Sequence, residues 1–265
     1  MHISSSGTAY ELTGPEGAPV VALIHGLGMD RHSTWGAIAP VLAEKYRVLS
    51  YDLCGHGATA IPTDKPSLTV LSEQLISLMD ELGIEQAALV GFSLGGMINR
   101  RCAMDHPSRV SVLGILNSPH ERGEEQQRLV EERARDTSAG GPGATIDATL
   151  QRWFTEGFRR KHPEQVTAVR DVVMANHHEN YALHRQVLAE GVVELIRPEP
   201  PITHPTLVVT CEFDSGSTPA MSWAIAREIG EADVVIIPDL QHLGLIEQPE
   251  LFAAPVMEFL SRLDG

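Results

Sequence analysis

The chain has 265 residues, 43% of them hydrophobic and 21% charged, which describes a folded soluble protein of one large or two small domains and excludes a disordered one. Its 20 Lys+Arg against 35 Asp+Glu give a formal net charge of −15, a surface that repels phosphate backbones and anionic lipid and argues against nucleic-acid or membrane partners. Cys54, Cys102 and Cys211 are widely spaced and odd in number, which suggests neither a disulfide framework nor a zinc site.

Residues 1–10 are polar and lack the basic-then-apolar order of a signal peptide. No apolar run approaches the roughly 20 residues that span a bilayer, and the cytoplasm is the expected address. Short apolar runs at 20–24, 47–51 and 87–90 end at His25-Gly26, Asp52 and Gly91 and predict strands buried on both faces. Between the last two, residues 68–82 place apolar side chains at 68, 71, 75, 78, 79 and 82 before Gly83, a helical stripe with a C-terminal glycine. Strand, helix, strand at this spacing predicts a parallel sheet. A further strand falls at 109–117.

From 119 to 201 the character changes. Helical stretches at 124–135, 146–158, 163–174 and 181–190 are interrupted at 139–143 (Ala-Gly-Gly-Pro-Gly), and Arg197-Pro198-Glu199-Pro200-Pro201 marks the exit. The rhythm of strand and helix then returns, with strands at 206–210 and 233–238 and helices at about 219–230 and 249–263. Residues 1–118 and 202–265 are therefore expected to form the core, and 119–201 a helical cap over the carboxyl edge of its sheet, where ligands of open α/β sheets bind.

Gly91-Phe92-Ser93-Leu94-Gly95-Gly96 is the sharpest motif. G-x-S-x-G between a buried strand and a helix is a nucleophile elbow, in which the turn is too tight for side chains flanking the serine. A glycine-rich turn can carry the pentapeptide by chance, but here the strand before it and the helix after it favour Ser93 as the nucleophile. The serine needs a base, and the base an orienting acid, in the chain order Ser, Asp/Glu, His. Asp214 follows the strand at 206–210, His242 follows the strand at 233–238, and Glu212 is the rival acid. For the oxyanion, the amide of Leu94 after the nucleophile and the amide of Leu27 in His25-Gly26-Leu27-Gly28 are the candidate donors. His25 itself is assigned a structural part. Asp52-Leu53-Cys54-Gly55-His56-Gly57 looks like a metal cluster but lacks further ligands at suitable spacing, and is read as a structural turn.

These motifs, in this order, resemble the α/β-hydrolase superfamily, from about residue 18 to the C-terminus. Gly91 to Met97, Arg152-Trp153-Phe154-Thr155 and Thr218-Pro219 after Asp214 are similar to the 3-oxoadipate enol-lactonases and their relatives. The resemblance implies an α/β-hydrolase fold, with a mostly parallel central sheet flanked by helices and the cap inserted between strands 6 and 7. The expected activity is hydrolysis of a small ester or (enol-)lactone by a Ser93-His242-Asp214 triad, with no metal or other cofactor. A C–C bond hydrolase of ring-cleavage products and a hydrolase-fold ligand receptor with little turnover remain alternatives, and a homo-oligomer remains open.

The charge divides unevenly. The expected cap holds 11 basic and 14 acidic residues, and the remainder 9 and 21, so a small carboxylate is not excluded from a cap-covered pocket. Arg122, Arg128, Arg133, Arg135, Arg152, Arg159 and Arg160 are candidates to face it, although solvated faces with i,i+4 glutamates account for such arginines equally well. Arg152 is the one chosen for substrate binding, with Trp153 beside it. Trp153 and Phe154 can also be plain cap-core contacts.

Overall fold

The computed structural model describes residues 1–262, without the side chains of residues 133 and 136–139. Among the described residues eight strands form one sheet: β1 (His2–Ile3), β2 (Ala9–Thr13), β3 (Val20–Ile24), β4 (Arg47–Tyr51), β5 (Ala87–Phe92), β6 (Val110–Leu116), β7 (Thr206–Cys211) and β8 (Ala232–Ile237). Their spatial order is β1-β2-β4-β3-β5-β6-β7-β8. β3 to β8 pair in parallel, while β1 and β2 add an antiparallel edge. Every residue of β5 and β7 is buried, as expected of largely apolar strands covered on both faces. The expected strands at 20–24 and 47–51 match residue for residue. β1 and β2 escaped the pattern because Tyr10, Glu11 and Leu12 are only half-buried at the edge.

The first half carries helices α1 (Arg31–Trp35), α2 (Ala39–Leu42), α3 (Leu68–Glu81) and α4 (Leu94–Asp105). Ser67 starts α3 by accepting the Val70 N–H at 3.1 Å. Leu68, Leu71, Leu75, Leu78 and Met79 then form its buried stripe.

Between β6 and β7 lie α5 (Glu124–Gly140), α6 (Ile146–Trp153), α7 (Glu156–Lys161), α8 (Pro163–Met174) and α9 (His178–Glu190). The expected helix at 146–158 is in fact two. Phe154 is extended and fully buried, and Thr155 starts α7 as its N-cap, accepting the Phe158 N–H at 3.2 Å. Glu247 holds the Thr155 N–H at 2.7 Å and its hydroxyl at 2.6 Å, so the break is tied to the C-terminal part of the chain. α9 begins at His178, three residues earlier than its apolar pattern, and α5 ends just before Gly141, whose φ is +59°. Leu150, Val173 and Tyr181 belong to the same buried cluster as the sheet. Asn176 and Asn180 donate to the carbonyls of Gly28 and Gly55, at 2.8 and 2.9 Å. The inserted helices are thereby fastened over the loops that follow β3 and β4, at the carboxyl edge of the sheet.

The chain closes with α10 (Pro219–Ile229), α11 (Gly244–Glu247) and α12 (Glu250–Ser261). The expected helix end at Leu263 lies outside the described residues. Among the described residues no helix is long and apolar enough to cross a membrane.

Candidate active site

Ser93 joins β5 to α4 with φ 54° and ψ −112°, a left-handed conformation that a non-glycine residue adopts only when its surroundings enforce it. The enforcement is steric. A Cβ on Gly91 would strike the Gly95 carbonyl, and one on Gly95 would strike the Ile24 carbonyl, so only glycine lets the helix start so close to β5 and β3. Leu94 is the first residue of α4, and its N–H, like those of any first helical turn, has no partner within the helix.

Asp214 and His242 lie in the loops after β7 and β8. The Asp214 Oδ2 receives His242 Nδ1 at 2.6 Å and Asn117 Nδ2 at 2.9 Å, while its Oδ1 receives the backbone N–H groups of Gly216 and Ser217 at 2.9 Å each. Burial alone would raise this carboxyl, but the charge and hydrogen bond of His242, with those of Asn117 and Ser217, outweigh it and hold it below the ordinary carboxylate value. Asp214 is therefore an ionised acceptor that fixes the imidazole with Nδ1 protonated, leaving Nε2 free to take a proton. Glu212 is exposed and accepts the Asp239 N–H at 3.1 Å, which removes it as the rival acid. The His242 ring is packed between Phe92 and Trp153, at centroid distances of 5.0 and 6.0 Å. No Ser93–His242 hydrogen bond forms among the described residues; such contacts commonly tighten only with substrate bound.

A cavity of about 570 Å3 opens above these residues. Ser93, Asp214, His242 and Leu27 line it from the sheet side, and Arg152 and Trp153 from the inserted helices. Leu94 lies behind Ser93, fully buried. Of the other arginines singled out, Arg122 also lines the cavity. Arg128 pairs with Glu132 one helical turn on, and Arg135 and Arg160 are exposed. Arg159 is half-buried and lies away from the cavity wall, and the side chain of Arg133 lies outside the described residues. Phe154 packs into the interior.

Two further residues belong to the site, Arg185 on the cavity wall and Asn117 behind Asp214. Arg185 of α9 hydrogen-bonds Tyr181, and its Nε is buried without a partner. Asn117, at the end of β6, donates to Asp214, and its φ of +45° is a turn conformation that Asn tolerates better than most residues.

The histidine- and aspartate-bearing turns are structural. The buried His25 accepts the Leu53 N–H on Nε2 at 2.9 Å and so donates from Nδ1 to the Gly26 carbonyl at 2.8 Å. Asp52 is bonded by the Arg31 guanidinium, the Arg31 N–H and the Ala58 N–H. Among the described residues no group of three His, Cys, Asp or Glu is placed to hold a metal ion.

Residues 19–249 match the family described as alpha/beta hydrolase fold. The chain belongs to this family. As an α/β hydrolase it is 28% identical over 256 residues to a 3-oxoadipate enol-lactonase of Acinetobacter baylyi, covering 96% of this chain and 93% of that protein. The solved enol-lactonase of Burkholderia xenovorans LB400 superposes with a TM-score of 0.86 at 30% identity, over 96% of each chain. A thermophilic esterase from Thermogutta terrifontis, solved with malate bound, superposes at 0.84 and 28% identity, over 96% of this hydrolase and 93% of that chain.

Proposed function

We propose that this hydrolase cleaves a carboxylic ester or enol-lactone of a small acidic molecule through a covalent acyl-enzyme. The observation that carries the reading is the 2.6 Å Asp214–His242 hydrogen bond on the wall of the same cavity as the strained Ser93. In this reading His242 Nε2 takes the Ser93 proton as Oγ attacks the carbonyl carbon. The N–H groups of Leu27 and Leu94 hold the resulting oxyanion, two donors of a kind worth about 3 kcal/mol each in acyl transfer. Collapse expels the alcohol or enol oxygen, which takes the proton back from His242; from a lactone that oxygen stays on the acyl group. Water, activated by the same imidazole, then frees the acid and restores Ser93. Asp214 keeps its charge throughout and stabilises the imidazolium.

The arginines supply the acidic preference. Arg122, Arg152 and Arg185 are on the cavity wall, and guanidinium forks match carboxylates. Trp153 completes the substrate-binding wall beside His242. The enol-lactonase relatives and the malate-bound esterase support the same substrate chemistry. The proposed address is the cytoplasm, where the three buried thiols Cys54, Cys102 and Cys211 stay reduced.

A fluorophosphonate should label Ser93 stoichiometrically and abolish hydrolysis. A panel of esters and enol-lactones, each with and without a free carboxylate, should then show the acidic members turned over at the higher kcat/KM. A Ser93 that resists the label would discard the acyl-enzyme reading, and a preference for the neutral members would discard the acidic substrate.

A further inference from the structure

Arg100 lies on α4, seven residues past Ser93, and is only 2% exposed. A guanidinium taken out of water is costly unless its N–H groups find acceptors, and among the described residues no carboxylate pairs with it directly. It is satisfied instead by the start of the inserted segment. Nη2 donates to Ser118 Oγ at 3.1 Å and to the Pro119 carbonyl at 2.7 Å, and Nη1 lies 3.5 Å from His120 Nδ1. His120 Nε2 in turn lies 3.1 Å from Glu228 on α10, so an imidazole protonated on Nε2 passes the link from the cation to a carboxylate. On its other side Arg100 Nε donates to the Gly96 carbonyl at 2.8 Å, in the first turn of α4.

The residues gripped are flanked by working ones. Asn117, just before Ser118, donates to Asp214. Glu121 and Arg122, just after His120, line the cavity. Gly96 permits the contact, since a Cβ there would lie 2.6 Å from the Ser118 Cβ. Arg100 thus bonds the nucleophile's helix to the segment that holds the acid and reaches the substrate wall.

We propose that Arg100 is a positioning residue of the reaction, registering Asn117 and with it the Asp214–His242 pair against Ser93, and keeping Arg122 on the cavity wall. The charged groups around it are His120, Glu228 and Arg122. A methionine would fill the same space and pack, but could not fasten. This inference rests on the serine-hydrolase reading.

The test compares wild type with Arg100→Met, Arg100→Lys and Ser118→Ala, each titrated with a fluorophosphonate so that rates are per reactive Ser93. Misplacement of catalytic groups by about 1 Å can cost on the order of 100-fold, and Arg100→Met is expected to lose roughly 10- to 100-fold in kcat per labelled site. Its KM for p-nitrophenyl acetate should stay unchanged, while KM for an acidic ester rises. Arg100→Lys, which keeps the charge but not the planar fork, should recover part of kcat. Should Arg100→Met fail to fold, Ser118→Ala, which deletes a single contact, should still lower kcat a few-fold. Unchanged kcat per labelled site in the variants that fold, whatever their melting temperatures, would reduce Arg100 to packing and overturn the proposal. Failure of the wild type to label would instead strike the hydrolase reading itself.

Discussion

Lowering the pH should loosen this protein through a group outside the cavity. His184 of α9 is fully buried, with Nδ1 2.9 Å from the Asn180 carbonyl and Nε2 3.9 Å from the Cys54 sulfur. Its ring meets His56 edge-on at 4.7 Å, and His56 meets His25 at 5.4 Å. Burial, partly offset by the Asn180 carbonyl, brings the His184 imidazole down from 6.5 to about 4. The unfolded chain takes up this proton near 6.5 and the folded chain only near 4, so the stability His184 confers is complete above the unfolded value and is lost as pH falls through that window. Linkage puts its share of the loss between pH 8 and pH 5 at about 2 kcal/mol. Urea unfolding at both pH values measures it as a difference within each protein, free of the cost of the substitution itself. Wild type should lose at least that amount, because burial lowers His56 as well. His184→Leu should lose about 2 kcal/mol less than wild type. Equal losses in the two proteins would show that His184 is not held neutral by its surroundings.

Other outcomes follow from the same contacts. Asp214→Asn, which removes the charge that steadies the imidazolium and can reverse the imidazole tautomer, should lower kcat by roughly 10³- to 10⁴-fold while circular dichroism is unchanged. Arg185→Gln should raise KM for acidic substrates by about tenfold or more, roughly the 1.5–3 kcal/mol of one charge-assisted hydrogen bond, and leave KM for neutral esters untouched. Gly28→Ala should lower stability by at least about 1–2 kcal/mol in thermal or urea unfolding, because Gly28 has φ +74° and its Cβ would lie 2.8 Å from the Tyr181 ring.

The parts of this molecule that could be read in its sequence are those where one local rule acts without competition. Residues buried on both faces of a parallel sheet must be apolar, so β3 and β4 stand out residue for residue. The elbow needs glycine on both sides of Ser93 because a Cβ at either place would strike a backbone carbonyl, and a late Asp and His follow from the order of the strands. Legibility fails where a side chain serves two masters. Arg185 sits on a helix like any solvated arginine, and only the packing of α9 over the sheet edge turns it inward. The polar edge strand β2 has no apolar run to announce it. The break between α6 and α7 depends on Glu247, more than ninety residues away, and Arg100 in a helix sequence gives no sign that Ser118 and Pro119 will close over it.

The central claim is that Ser93 carries the acyl group, and the direct measurement is hydrolysis of p-nitrophenyl acetate by Ser93→Ala beside wild type, with the fold of both checked by circular dichroism. Turnover should vanish in the folded variant, and quenched wild type alone should show an acetyl group on Ser93 by mass spectrometry. Undiminished hydrolysis by Ser93→Ala would remove Ser93 from the mechanism.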